Sequence, residues 1–197
     1  YGRNYYSRHD YEGIKAKAAD GLMKGLQERL PQLPGSLFVN RVRVIFEDRD
    51  ARLWIGTDGG GLNRYLPETE SFESIQQDRD DLTSLSSDHP WAITEDEQGN
   101  LWIGTQGGGL DLFDPRGDRF VHYRHDEDDP HSLASDFIRG TFEDSRGNFW
   151  IGTQGGGLNR WSAADRRAER AVFRRYGTAD GLPSDLVYGV LFDDWGH

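Results

Sequence analysis

The string Leu53-Trp54-Ile55-Gly56-Thr57 returns unchanged at Leu101–Thr105 and with one substitution at Phe149–Thr153, so that Trp54, Trp102 and Trp150 stand 48 residues apart. A fixed period of this length is the mark of an architecture built by repeating one supersecondary unit. The match extends on both sides. An acidic turn precedes each copy, opening with Glu47-Asp48, Glu95-Asp96 and Glu143-Asp144. A glycine triplet followed by Leu comes after each, at residues 59–62, 107–110 and 155–158. Three positions beyond that Leu is an aromatic residue, Tyr65, Phe113 or Trp161. A fourth copy opens at residues 187–194, close to the last residue, His197.

Each copy has room for four short strands. In the middle copy the spacing predicts them at residues 91–95, 100–105, 109–113 and 119–124. Gln98-Gly99-Asn100 is a tight-turn signal, because Gly and Asn tolerate the dihedrals that a hairpin needs. The glycine triplet permits a second reversal, and Asp114-Pro115-Arg116-Gly117 a third, with its proline outside the strands. Gly and aromatic residues recurring at strand-like spacing exclude a helical repeat. Solenoids of β-coils repeat at shorter intervals. Four antiparallel strands at a period in the forties predict an all-β partial β-propeller. It has about three four-stranded blades and the start of a fourth, with longer loops crossing from blade to blade.

The first 37 residues do not repeat. Ile14, Ala18, Leu22, Leu26 and Leu30 form an apolar stripe every four positions, which predicts one amphipathic helix ending at Pro31 and Pro34. The expected organisation is a non-propeller segment at 1–37 and blade repeats over 38–197. The opening Tyr1-Gly2-Arg3-Asn4, without Met and without a signal peptide, reads as a piece of a longer protein.

Composition narrows the functions. The net charge is −11, with no dense Lys/Arg run. Nucleic acid and anionic membrane surfaces are therefore not expected partners, since phosphate contacts need a basic face. No apolar stretch reaches the length of a membrane span. The absence of cysteine removes disulfides, thiolate nucleophiles and cysteine-ligated zinc.

The repeats resemble the two-component regulator propeller family. The residues that carry the likeness are 42–57 with 61–65, 93–105 with 109–115 and 120–124, then 132–136, 142–153 and 157–161. The junction Tyr176-Gly177-Thr178-Ala179-Asp180-Gly181-Leu182-Pro183-Ser184-Asp185 is also similar to the family's. The resemblance implies the extracytoplasmic sensor of a membrane receptor, often a hybrid histidine kinase, that detects glycans or other extracellular cues. It implies a periplasmic or extracellular location for the parent and many more blades than this chain holds. It brings no catalytic set. The opening residues, Tyr1-Gly2-Arg3-Asn4-Tyr5-Tyr6-Ser7-Arg8-His9-Asp10-Tyr11-Glu12 with Gly21-Leu22-Met23, resemble a stretch of α-D-phosphoglucomutase. No catalytic, metal or sugar loop of that enzyme is matched, so two unrelated pieces are joined and no activity is carried over.

The expected role is thus a ligand-sensing or interaction module and not an enzyme. The alternative is a polysaccharide-active lyase or hydrolase. That would need one unrepeated cluster on a blade face, whereas the Glu-Asp pairs recur identically in every copy and read as turn caps. Trp54, Trp102 and Trp150, in register within strands, are expected to be blade core, wedged between neighbouring sheets. Trp91 differs: its counterparts are Arg43, Arg139 and, in the partial copy, Tyr188. Trp91 and Arg139 with Asp88, His89 and Asp136 form the candidate ligand site. Aromatic faces pack on sugar rings, while Asp, Arg and His bond to hydroxyls. Neither Asp126-Glu127-Asp128-Asp129 nor His122 with His125 has metal-site spacing, and the glycine triplets lack a phosphate-loop lysine. No metal or cofactor is expected. Self-association to complete a ring is, because three blades leave sheet edges open.

Overall fold

The computed structural model describes residues 41–114 and 119–189. The helix expected in the first 37 residues, the 37/38 boundary, the 114–117 turn and most of the fourth copy lie outside them.

Three four-stranded antiparallel meanders follow one another. The first is β1 (Val42–Glu47), β2 (Leu53–Thr57), β3 (Leu62–Leu66) and β4 (Ser71–Ile75). The second is β5 (Pro90–Glu95), β6 (Leu101–Thr105), β7 (Leu110–Asp114) and β8 (Arg119–Tyr123). The third is β9 (Ile138–Glu143), β10 (Phe149–Thr153), β11 (Leu158–Trp161) and β12 (Phe173–Tyr176). These are the expected blades. The strands of the middle copy begin and end within one residue of where turn chemistry put them. The first strands β1, β5 and β9 stand side by side, so each sheet presents one edge to a common row.

Both faces of a central blade are covered, which explains why β6 reads as an unbroken apolar run. One buried cluster joins Trp54 and Leu62 of the first blade to Ile93, Leu101, Ile103, Phe113 and Phe120 of the second. Another joins Trp102 and Leu110 to Ile138, Phe149, Ile151, Trp161 and Phe173 of the third. Each tryptophan meets the next blade edge-on: Trp54 lies 5.6 Å from Phe113, and Trp102 lies 5.5 Å from Trp161. Trp54 and Trp102 are fully buried. Trp150 is half-buried and tilts against Tyr176 at 6.1 Å, on the side from which the fourth copy follows.

Asp48, Asp96 and Asp144 orient these indoles. Each accepts its own blade's indole N–H, at 2.8, 2.8 and 2.9 Å, and the backbone N–H groups two and four residues ahead. Their glutamate neighbours point the other way. Glu95 accepts the Arg49 backbone N–H at 2.9 Å, and Glu143 that of Glu97 at 3.1 Å. The acidic pairs therefore close turns with one member and join blades with the other.

The glycine triplets also connect blades. Gly107 and Gly109 both donate to the Asp136 carbonyl at 3.0 Å, and the same bonds run from Gly59 and Gly61 to Asp88 and from Gly155 and Gly157 to Asp185. Gly109 has φ 86°, and a side chain there would meet the Tyr123 carbonyl at 2.3 Å. Gly104 is required for another reason: a Cβ on it would lie 2.5 Å from Ile138 of the next blade.

Periodicity did not disclose the third blade's insertion. Five more residues separate Trp161 from its partner Phe173 than separate Phe113 from Phe120. They fold as a one-turn helix, α1 (Ala163–Arg167), whose first turn Ser162 caps by accepting from the Asp165 N–H. Its Arg166 bonds Glu143 and the Gly147 carbonyl and covers the Phe149 and Trp102 rings.

Trp102→Ala should lower unfolding stability in urea by about 3–5 kcal/mol, the range for truncating a large buried aromatic. An unchanged urea midpoint would refute the wedge. Gly104→Ala should cost about 1–3 kcal/mol through overpacking against Ile138, read from the same titration.

Candidate functional site

The second residue of each inner strand is one of the places where the repeat changes chemical type. Arg43 on β1, Trp91 on β5 and Arg139 on β9 occupy it, with Tyr188 next in the row. Packing links them in that order. The Arg43 guanidinium lies 6.0 Å from the Trp91 ring centre and that of Arg139 3.6 Å; Arg139 is in turn 5.1 Å from Tyr188. The strand pairing explains the alignment. Val44, Ala92 and Gly140 pair with Gly56, Gly104 and Gly152, and a bulge just before each pair sets the preceding side chain at the end of the strand row.

Asp58 organises the first-blade end. Its carboxylate is 2.5 Å from Arg43 and 2.9 Å from His89 Nδ1, with Arg41 at 3.9 Å. Burial alone would raise its pKa, but the hydrogen bonds from His89 and Arg43 and the charge on Arg43 outweigh this and hold the carboxyl below its ordinary 3.8. Asp58 therefore remains an anion matched to Arg43. In the third blade the equivalent position is Gln154, whose amide oxygen accepts from Arg139. Burial lowers the Arg139 pKa from its ordinary value; Tyr188 opposes this and Arg43 adds to it.

Of the residues singled out from the sequence, His89, Trp91 and Arg139 belong to this one cluster. Trp91 is 8% exposed. Asp88 and Asp136 stand beside it through their backbones, but their carboxylates serve the crossing loops: Asp88 accepts the Gln77 N–H and Asp136 the His125 N–H, both at 2.7 Å. Asp58 was not foreseen. Its signal was present in the repeat, since it is the one acidic residue where the other copies have Gln106 and Gln154.

A second recess, of about 590 Å³, opens at the outer edge between the second and third blades, lined by His122, His125, Asp126, Glu127, Asp129 and Phe173. Its acidic groups are spent on loop structure. Asp126 accepts the Asp128 N–H, Asp129 accepts that of His131, and Arg175 binds the Asp129 and Ser132 carbonyls. Among the described residues no three His, Asp or Glu side chains converge on a point where an ion would sit. His122 ties the first crossing loop to β7, with Nδ1 2.8 Å from Asp111 and Nε2 2.9 Å from the Leu82 carbonyl.

Residues 36–59, 84–107 and 132–155 match the family described as Two component regulator propeller. Among solved structures, the extracellular domain of an inferred hybrid two component system of B. thetaiotaomicron shares 25% identity at a TM-score of 0.61, over 80% of this chain and 20% of that one. A second such domain from the same organism also shares 25% identity, at a TM-score of 0.67, over 85% and 23% of the two chains. Virginiamycin B lyase of Staphylococcus aureus, 15% identical at a TM-score of 0.51 over 73% and 43%, shares the fold. A 40-residue stretch at the N-terminal end is 55% identical to phosphoglucomutase of Rhizobium radiobacter, covering 20% of this chain and 7% of that enzyme. The chain thus spans under a quarter of the sensor domains and a small part of the enzyme.

The Asp111 carboxylate raises the His122 pKa above its ordinary 6.5, against the opposing effect of burial. A group protonated more readily in the folded state stabilises fully below its unfolded pKa, and that contribution is lost as pH rises through the raised value. The urea midpoint should therefore fall as pH rises above about 6.5, the ordinary histidine value. His122→Gln should flatten that decline; the same decline in the variant would remove His122 as its source.

Proposed function

Because residues 36–59, 84–107 and 132–155 match the two component regulator propeller family, we propose that the blades serve as a ligand-sensing module. They would form part of the extracytoplasmic sensor of a two-component or related receptor, with the Arg43–Trp91–Arg139–Tyr188 row as the contact surface and a glycan as ligand. One observation carries this reading: the inner-strand position places an indole, Trp91, between the guanidiniums of Arg43 and Arg139 in the neighbouring blades, with Tyr188 next in the row. A packing position repeats, as Trp54 and Trp102 do; a recognition position need not. The two B. thetaiotaomicron domains support the sensor role, being extracellular parts of signalling systems at 25% identity. An indole flanked by guanidiniums suits a sugar, which offers an apolar ring face and many acceptors.

Binding without turnover is the chemistry expected here. The paired carboxylates that might act as acid and base are engaged in turns and blade joints. Among the described residues Asp58, the carboxylate in the cluster, is neutralised by Arg43. The full chain on a glycan array should bind at least one sugar class, and mass spectrometry of the bound glycan should show it intact. Trp91→Ala should abolish that binding. Cleavage of the glycan would favour the lyase or hydrolase reading, and binding unaffected by Trp91→Ala would move the site elsewhere.

A further inference from the structure

The first and third blades differ in the partner of their inner-strand arginine, Asp58 against Gln154, and that difference bears on the ligand. In blade one, Arg43 faces the Asp58 carboxylate at 2.5 Å. In blade three, the same geometry places Arg139 against the Gln154 amide, and among the described residues no carboxylate forms an ion pair with it. Among the described residues Arg139 is thus a guanidinium without a carboxylate partner, in a chain of net charge −11. It lies 3.6 Å from the Trp91 ring centre, flat enough to occupy the face that a sugar would use. Two buried donors of this stack, Trp91 Nε1 and Arg139 Nε, have no hydrogen-bond acceptor among the described residues. Buried donors are seldom left unmatched, because each costs about 1–3 kcal/mol of lost hydration.

An uncompensated cation, a covered aromatic face and two unmatched donors call for the same kind of molecule. We propose that the ligand is an acidic sugar, and that its carboxylate draws the Arg139 guanidinium off Trp91 while its ring takes the vacated indole face. Arg139 would then act as a cover released by charge. A neutral sugar gives the guanidinium no anion in exchange for the indole and leaves the cover in place. A carboxylate accepts the guanidinium's two parallel N–H groups, which an ammonium group or a hydroxyl cannot match. Arg43, held by Asp58, stays put. This inference rests on the sugar-binding reading of the row and specifies its ligand class.

The test uses the indole N–H signals of the full chain in two-dimensional NMR. D-glucuronate is compared with its methyl ester and with glucose, and the Trp91 signal is assigned by its disappearance in Trp91→Phe. Glucuronate should shift the Trp91 signal saturably, and at least roughly tenfold more tightly than ester or glucose, about 1.4 kcal/mol. The Trp54 and Trp102 signals, whose donors are held by Asp48 and Asp96, should not move. Arg139→Gln should erase the preference for the acid. Arg139→Lys, which keeps the charge on the strand, should leave an intermediate preference. If acid and ester shift the signal equally, or if the preference survives in Arg139→Gln, the charge-released cover is wrong and the sugar platform stands. If none of the three sugars moves the Trp91 signal, both readings fall.

Discussion

An indole N–H held 2.8 Å from a buried carboxylate six residues upstream is the contact on which the architecture depends. Asp48, Asp96 and Asp144 would be costly to bury alone. They are affordable because each is saturated by its own turn and by the tryptophan of the next strand. That saturation fixes both partners: the turn closes, and the indole is aimed at the neighbouring sheet. The apolar clusters between blades then assemble around a side chain whose direction is already set. Neither the turn alone nor the ring alone would define the angle between sheets.

Most of the blade was legible in the sequence, because the signals that set strand ends are local. Gly99, the glycine triplets and the Trp–aromatic spacing placed β5 to β8 within a residue. What escaped falls into two groups. The helix α1 occurs in one copy only, and a reading built on what recurs has no purchase on what does not; with it went Arg166, which clamps the second blade to the third. The other group acts through the backbone. Asp88 and Asp136 drew attention as carboxylates, yet the atoms that couple blades are their carbonyl oxygens, which any residue type possesses. Asp58 was overlooked for a simpler reason: it lies inside a strongly conforming stretch of the repeat and is a single departure there, Asp in place of Gln.

The division of labour inside each blade follows. Trp, Asp, Glu and the glycines recur because they build the sheet and its joints, which leaves them no freedom to vary. The second residue of the inner strand is bound by none of those constraints. It stands at the end of the strand, past the bulge that interrupts the ladder, and its side chain meets its counterparts in adjacent blades. An Arg–Trp–Arg–Tyr row therefore runs along one line of the molecule, held in place by scaffold parts that recur.

The joint formed by Glu95 and Glu143 carries a consequence for how such chains lengthen. Each glutamate grips a main-chain N–H of the preceding unit, and that donor is present whatever residue supplies it. A unit copied or deleted as a whole 48-residue block meets its new neighbour with the same acceptor facing the same donor. Growth by tandem duplication thus needs no compensating change at the seam, and the inner-strand position of a fresh copy is at once free to diverge.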